Sequence, residues 1–399
     1  MQVNGELQLI ERGTVKIYTQ EELLKKLSKA RQTDKPLNIK LGIDPTMPEI
    51  HMGHTVCIRK LATFQKLGHN IILIIGDFTA RIGDPSGRDK TRPILDDKTI
   101  ENNKQLLLES LKTIIDINKI IIRYNSEWLS KINFSDLIKI CSNLTVAQML
   151  EREDFKRRYE NQVPITLNEF LYPVMQALDS VEIKADIEIG GQDQTYNLLL
   201  GRELQQLFGQ EPQVCITMPL LIGVDGKKKM SKTYNNTISV KDEPFEMYSK
   251  IMSIPDDIIE HYFLLLTEVS VEDVKELCDA KKTHPKIAKE RLAREIVKGY
   301  YGQEEAEKAA ERFTKVFTRK EVPDSIPVFQ VNVDRIRLID ILVQAGLCKS
   351  NSEAKTLVRQ GAVELDGHKI DDITTQLVLN REYILKVGKK NRFLKIIRQ

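Results

Sequence analysis

The apolar pattern of this chain opens with an extended rhythm and changes to a helical one within a few dozen residues. Residues 37–43 read as a strand that enters a turn at Asp44-Pro45-Thr46. Residues 51–67 read as a helix, because Cys57, Leu61 and Phe64 fall at i, i+4 and i+7 and Gly68 stands at the stop. Residues 71–75 form a continuous apolar, mostly β-branched run, which suits a strand buried on both faces. Strand, helix and strand in this order make a βαβ unit, expected to cross over right-handed in a parallel sheet.

A loop with Gly83-Asp84-Pro85-Ser86-Gly87 leaves the carboxyl end of the second strand. From about residue 92 to 168 the pattern turns helical and charged, and reads as an insertion between two halves of a nucleotide fold. Residues 185–189 and 213–221 read as returning strands, with a helix over 195–207 between them. Beyond residue 239 the chain reads as helical, with Ala288, Leu292 and Ile296 at i, i+4 and i+8 and Pro285 near a helix start. Residues 320–334 hold Pro323 and Pro327 without a clear period, and 323–334 is assigned as a linker. In the last module, residues 361–369 read as strand, turn at Asp366-Gly367, and strand, a hairpin signal. The expectation is an α/β protein: a doubly wound parallel-sheet domain over 1–238, a helical domain over 239–322, and a small α+β domain over 335–399.

Composition narrows the class. The 399 residues are 41% apolar, enough for real cores in two or three domains. No apolar run approaches the roughly 18 residues of a membrane span, and the N-terminus shows no secretion signal, so no membrane role is expected. Five widely spaced cysteines (Cys57, Cys141, Cys215, Cys278 and Cys348) and no Cys-x-x-Cys argue against disulfides or structural zinc, and for a reducing, cytoplasmic setting. The net charge of +3 is uneven: from Arg335 onward there are 13 Lys and Arg against 7 Asp and Glu, leaving a mildly acidic body. A basic terminal module suits a polyanion.

Two separated segments carry candidate chemistry. His51-Met52-Gly53-His54 opens a helix, where unpaired backbone N–H groups favour phosphate. His51 and His54 share a face, and neutral imidazoles there can donate to phosphate oxygens. Gly53 permits close approach of a base or ribose. His-x-x-His also suits a metal, but no further Cys or His cluster completes a ligand set, and no metal site is assigned. Lys229-Met230-Ser231-Lys232-Thr233 sits in a charged loop after a strand, with Gly223 and Gly226 as candidate hinges. By itself such a run is a solvated loop. Paired with the histidines, it suits a pyrophosphate leaving group, whose charge grows in the transition state.

Gly190-Gly191-Gln192-Asp193-Gln194 joins a strand to a helix, where Asp193 can accept from ribose hydroxyls. Tyr172, Gln176 and Asp179, at i, i+4 and i+7, form a polar stripe on an otherwise apolar helix. That stripe is either a solvent face or the wall of a polar pocket. Asp84 lies at another strand end and can face the same cavity.

Taken together, these residues resemble a bacterial-type tyrosyl-tRNA synthetase of class I over essentially the whole chain. Gly42-Ile43-Asp44-Pro45-Thr46 with His51-Met52-Gly53-His54 is similar to the first class I signature of the tyrosyl and tryptophanyl branch. Lys229 to Thr233 is similar to the second, with Thr for the commoner final Ser. The resemblance implies a Rossmann-type catalytic domain, a helical anticodon-stem-binding domain and a small RNA-binding domain. It implies that Tyr172, Gln176 and Asp84 hold the substrate's α-amino group and that Asp179 accepts from its phenolic hydroxyl. Gly191, Asp193 and Gln194 then serve the ribose and the activated carboxyl. Thr46 and His51 serve the γ-phosphate end, and His54 the ribose side. Gly42, Asp44, Gly53, Met230 and Ser231 join Lys229 and Lys232 around ATP.

Two positions depart from the pattern. Many family members carry a Tyr two residues before Gly42 that also bonds the phenolic hydroxyl; here that residue is Lys40, left out of the expected site. Glu188 stands where many relatives have Gln. The C-terminal likeness covers 338–342, 354–358 and 361–369, and Lys349, Lys355 and Arg359 are its candidate RNA contacts. The implied partners are tyrosine, ATP with Mg²⁺, tRNA(Tyr) and a second copy of the chain, with residues 128–149 at the dimer interface. The rival readings are a tryptophanyl enzyme of the same branch, a catalytically inactive RNA-binding relative, and another nucleotidyl transferase of the class I-like superfamily. Amino-acid-dependent ATP–pyrophosphate exchange separates them.

Overall fold

The computed structural model describes residues 3–47, 49–86, 95–318, 326–388 and 392–398. It divides into two compact units, residues 1–306 and 307–399.

The first unit is built on a six-stranded sheet: β1 (Lys16–Tyr18), β2 (Asn38–Ile43), β3 (Asn70–Ile75), β4 (Ile120–Tyr124), β5 (Ile187–Gly191) and β6 (Val214–Met218), in the order β1-β6-β5-β2-β3-β4. All pairings are parallel except β1 with β6. The chain winds outward from β2 through β3 to β4, then returns to β5 on the other side of β2. The strand order therefore reverses between β2 and β5, and doubly wound sheets open a ligand crevice outside the carboxyl ends at such a point. The apolar runs make the centre: every residue of β6, and all of β3 after Asn70, is buried.

Each half of the expected βαβ unit forms. The helix Met52–Lys66 begins at His51 and buries Met52, Val56, Leu61 and Phe64. Its end turns through Gly68 at φ +86, a left-handed conformation that favours glycine. The helices Leu167–Glu182 and Thr195–Leu207 pack on each other. The first is started by Thr166, whose backbone N–H donates to Glu169 Oε2 at 2.9 Å.

The expected helical insertion needs correction. Residues 120–124 within it are a sheet strand, β4, in register with β3 from Ile71 opposite Ile120 to Ile75 opposite Tyr124. A run of three isoleucines between helices is too short for a helix and fits an edge strand covered on one face. The rest is helical, as Asp97–Leu111, Ser126–Leu129, Phe134–Cys141, Val146–Leu150 and Glu153–Glu160. Gly87 and the insertion's expected start near Arg92 lie outside the described residues.

Beyond residue 239 come the helices Pro244–Met252, Ile259–Leu266, Val271–Cys278 and Pro285–Tyr301, the last burying Ala288, Leu292 and Ile296. Up to residue 306 they belong to the same compact unit as the sheet. Arg12 ties the two parts by donating to the carbonyls of Phe263, Leu264, Thr267 and Val269. Among the described residues, no helix is long and apolar enough to cross a membrane.

The second unit has its own core, formed by Ile341, Leu342, Ala354, Val358, Val363, Leu385, Val387 and Ile396. Its strands are β7 (Val328–Val331), β8 (Arg335–Arg337), β9 (Val363–Leu365), β10 (His368–Lys369), β11 (Gln376–Val378), β12 (Tyr383–Val387) and β13 (Arg392–Arg398). Five form a sheet in the order β10-β9-β12-β13-β7, while β11 and β8 make a ribbon. The expected hairpin is β9–β10, turning through Asp366 at φ 48 and Gly367 at φ 82. Of the expected linker, Pro323 lies outside the described residues, and β7 occupies 328–331 by pairing in parallel with β13. That partner lies more than sixty residues away, so no local pattern announces the strand.

Candidate active site

The first signature sits at a helix start and is shaped by its own backbone. His51 Nδ1 accepts from the Gly53 N–H at 3.2 Å, and His54 Nδ1 accepts from the His51 N–H at 3.3 Å. An Nδ1 that accepts leaves the proton on Nε2, so each ring offers Nε2–H as a donor. The ring centroids are 3.8 Å apart. Burial pushes the His51 imidazole down to about 3, with His54 and Lys232 adding to the shift. Burial likewise takes His54 down to about 4. Both rings are therefore neutral donors at physiological pH.

The second signature lies against the first. The segment that follows the lysine loop zips onto the histidine segment: the Met52 N–H donates to Ile238 O at 3.0 Å, the Val240 N–H donates to Ile50 O at 3.2 Å, and His51 pairs with Ser239. Lys232 pairs with Glu49. Lys229 Nζ lies 3.7 Å from Asp193 Oδ2. Met230 is buried, and a Cβ on Gly53 would stand 3.6 Å from its own Cβ and 3.0 Å from the His51 ring. Gly42 at the end of β2 is exposed, with nothing within 4 Å of a Cβ built there. The two signatures thus lie against each other, beside the carboxyl ends of β2 and β5. Thr46 is half-buried in the loop after β2, its N–H donating to Asp44 O at 2.8 Å.

The lysine loop is held by a residue that no sequence motif singles out. Asn236 is buried; its Oδ1 accepts from the Ser231 N–H at 2.8 Å, and its Nδ2 donates to Asp225 Oδ2 at 3.1 Å and to Lys229 O at 3.2 Å. Gly223 is a close-approach glycine: a Cβ there would fall 2.1 Å from Asn236 Nδ2. Gly226, at φ +69, supplies the left-handed turn.

The polar stripe is not a solvent face. Tyr172 and Asp179 are buried, and Gln176 is half-buried. The Tyr172 hydroxyl donates to Asp44 Oδ2 at 2.9 Å, and Thr79 Oγ1 donates to Asp44 Oδ1 at 2.8 Å. Asp44, expected at the nucleotide, thus braces Tyr172 in this conformation. Burial holds the Tyr172 phenol well above its usual value, with Asp44, Asp84 and Asp179 all adding to the rise. Asp179 Oδ1 accepts from Trp128 Nε1 at 2.9 Å, and its Oδ2 from Asn125 Nδ2 at 3.4 Å. Burial raises the Asp179 carboxyl to about 7, against the pull of Lys40, Trp128 and Asn125.

A second chain of bonds runs along the other side. Asn197 Nδ2 donates to Gln176 Oε1 at 3.1 Å and to Gln194 Oε1 at 2.8 Å, and Gln194 Nε2 donates to Asp84 Oδ2 at 2.6 Å. Arg152, buried in the insertion, reaches Asp84 Oδ1 at 3.3 Å, Ser86 Oγ at 2.6 Å and Asp154 Oδ1 at 2.7 Å. Burial raises the Asp193 carboxyl, Lys229 lowers it and Asp84 raises it, so Asp193 and Asp84 share one electrostatic neighbourhood. Gly191 lies directly beside Asp193, at the end of β5.

Sequence reasoning missed Thr79, Asn125, Trp128, Arg152, Asn197 and Asn236. Trp128, as the single tryptophan, carries the one usable signal. The others are common polar residues; Asn236 pairs within its own loop, and the roles of the rest arise only from pairing across distant segments. Among the described residues, no group of three or more His, Cys, Asp or Glu is arranged to hold a metal ion. In the second unit, Lys349, Lys355 and Arg359 are all exposed.

Comparison with known proteins places the chain in a class. Residues 32–318 match the family model described as tRNA synthetases class I (W and Y), and residues 319–395 match the tyrosine–tRNA ligase SYY-like C-terminal domain. The tyrosine–tRNA ligase of Aquifex aeolicus (strain VF5) is 46% identical over 393 residues, covering 98% of each chain. That of Carboxydothermus hydrogenoformans is 48% identical over 405 residues, covering 99% of this chain and 98% of that protein. Among solved structures, a C-terminally truncated mitochondrial tyrosyl-tRNA synthetase of Aspergillus nidulans shares the fold, with a TM-score of 0.66 at 23% identity over 79% of this chain and 94% of that one. The chain belongs to the class I aminoacyl-tRNA synthetases of the tryptophan and tyrosine branch and, within that branch, to the tyrosine–tRNA ligases.

Proposed function

We propose that this enzyme activates L-tyrosine with ATP and transfers it to tRNA(Tyr), using the crevice between the histidine helix start and the lysine loop. The observation that carries the reading is the pairing of Ile50–Met52 with Ile238–Val240, which brings two segments far apart in sequence side by side. In the first step, a carboxylate oxygen of tyrosine attacks the α-phosphorus of ATP, bound with Mg²⁺. A new P–O bond forms and the bond to the β-phosphate breaks, releasing pyrophosphate. In the second, a ribose hydroxyl of the terminal tRNA adenosine attacks the activated carbonyl, and AMP leaves as the bond between the carbonyl carbon and the phosphate oxygen breaks.

No side chain becomes covalently attached, so catalysis is positioning and charge stabilisation. Thr46 and His51 serve the γ-phosphate end, and His54 the ribose side. Lys229 and Lys232 take up the growing charge of the pyrophosphate. Gly42, Asp44, Gly53, Gly191, Asp193, Met230 and Ser231 complete the nucleotide site. Asp84, Tyr172, Gln176 and Gln194 hold the amino-acid end, and Asp179 accepts from the phenolic hydroxyl. Lys349, Lys355 and Arg359 contact RNA phosphates.

The proposal includes a homodimer in the cytoplasm. The dimer reading draws on the exposed Phe134, Ile138, Val146 and Leu167 and on a neighbouring hollow of about 620 Å³ lined in part by Trp128, Ile140, Leu207 and Phe208. The compartment reading draws on five cysteines that are all free. Pyrophosphate exchange into ATP tests the chemistry: it should require tyrosine, fail with tryptophan, and slow in Lys229→Ala and Lys232→Ala with tyrosine affinity kept. Normal exchange in both variants would remove the loop from the mechanism.

A further inference from the structure

Lys40 and Glu188, the two departures from the family pattern, are each other's partner. They are register neighbours across β2 and β5, at the reversal point of the sheet, and Lys40 Nζ lies 2.8 Å from Glu188 Oε1. Lys40 is 0% exposed and Glu188 1%. A pair of charges so deeply buried adds little net stability, because desolvation offsets most of their attraction.

The bonds around the pair show what it grips. The Lys40 ammonium also donates to Gln176 O at 2.9 Å and to Ser180 Oγ at 2.7 Å. Glu188 Oε2 accepts from Ser180 Oγ at 3.0 Å and from Gln213 Nε2, and its Oε1 accepts from Gln176 Nε2 at 3.4 Å. The three ammonium protons are thus all placed. Every contact on the Leu167–Glu182 helix falls on Gln176 or Ser180, the residues that bracket Asp179. Lys40 therefore does not stand in for a hydroxyl-binding tyrosine: its ammonium is turned onto the 176–180 turn of the helix.

We propose that the buried Lys40–Glu188 pair is a positioning device for tyrosine selection, which clamps the 176–180 turn so that the Gln176 amide and the Asp179 carboxylate meet the substrate. The inference rests on the reading of Gln176 and Asp179 as tyrosine-binding residues. Lys40 has a second effect through space, since its charge opposes the rise that burial imposes on the Asp179 carboxyl. The bonds of the pair end on Gln176, Ser180 and Gln213, so it acts by placing the helix turn that carries Asp179.

The test is tyrosine-dependent and ATP-dependent exchange kinetics on Lys40→Met/Glu188→Gln, which removes both charges at similar volume, on Ser180→Ala, and on Asp179→Asn in parallel. The proposal expects the double variant to raise the tyrosine KM at least ~10-fold, as slight misplacement of binding groups does, with the ATP KM unchanged. It also expects a lower ratio of kcat/KM for tyrosine over phenylalanine. Ser180→Ala should move the same quantities in the same direction, and it decides the matter if the double variant does not fold. Should Asp179→Asn raise the tyrosine KM while the double variant, or in its place Ser180→Ala, leaves it unchanged, the pair is merely structural and the inference fails alone. Should Asp179→Asn itself leave tyrosine kinetics untouched, the tyrosine-binding reading fails and takes the inference with it.

Discussion

Trp128 donates its indole N–H to Oδ1 of Asp179 at 2.9 Å, joining the short helix after β4 to the helix Leu167–Glu182. Asn125, from the same turn, takes the other oxygen at 3.4 Å and also bonds Thr79 Oγ1 at 3.0 Å. The carboxylate proposed to recognise the phenolic hydroxyl is thus aimed by the insertion.

Trp128→Phe should keep the apolar contact and delete the donor. A buried acceptor left without its partner costs about 1–3 kcal/mol. The expected outcome is a loss of tyrosine kcat/KM larger than any loss for phenylalanine. Exchange assays with the two amino acids measure it, and equal losses would show that the indole only fills space.

The acid limb of the activity should belong to Asp179. With its carboxyl raised to about 7, protonation below that pH weakens the acceptor, so tyrosine kcat/KM should fall as pH drops through 7. The histidines, held at about 3 and about 4, stay neutral over that range. Asp179→Asn should flatten the limb. Linkage makes a matching statement about stability. The folded state holds a proton that the unfolded chain releases between the ordinary value of 3.8 and about 7, so Asp179 costs stability as pH rises through that window. Asp179→Asn should therefore gain in unfolding midpoint relative to the parent as pH rises from 4 to 7.

Asn236→Ala should unpin the lysine loop. It removes the acceptor for the Ser231 N–H and the donor to Asp225 and Lys229 O. Adenylate formation should slow, with a raised ATP KM, while equilibrium tyrosine binding is unaffected. Stopped-flow measurement of tyrosine binding and of adenylate formation separates the two.

Removing Lys349, Lys355 and Arg359 together, as alanines, should weaken tRNA binding without touching pyrophosphate exchange. The slope of log K against log salt should fall by about 0.7–0.9 for every phosphate no longer neutralised. An unchanged slope would move the RNA-binding face elsewhere on the second unit.

Much of the frame is legible locally. The strand before Gly42, the helix that starts at His51, the apolar run of β3, the Asp366-Gly367 hairpin and the helix over 195–207 each follow from short-range pattern, capping or turn chemistry. β4 and β7 read locally as insertion and linker, because an edge strand shows its nature only through its partner. At the site, the histidines, lysines and polar stripe stand out by spacing. Lys40, Asn125, Arg152 and Asn236 do not, since each matters through a bond to a residue far along the chain or in a separate element.

By itself the sequence determined the local conformations and the kinds of side chain available, because propensity, caps and glycine turns act over a few residues. Only the tertiary structure decided which of those side chains meet: Ser239 beside His51, Glu188 opposite Lys40, Trp128 on Asp179. Those pairings depend on sheet order and register, and these emerge from the packing of the whole core rather than from any single segment.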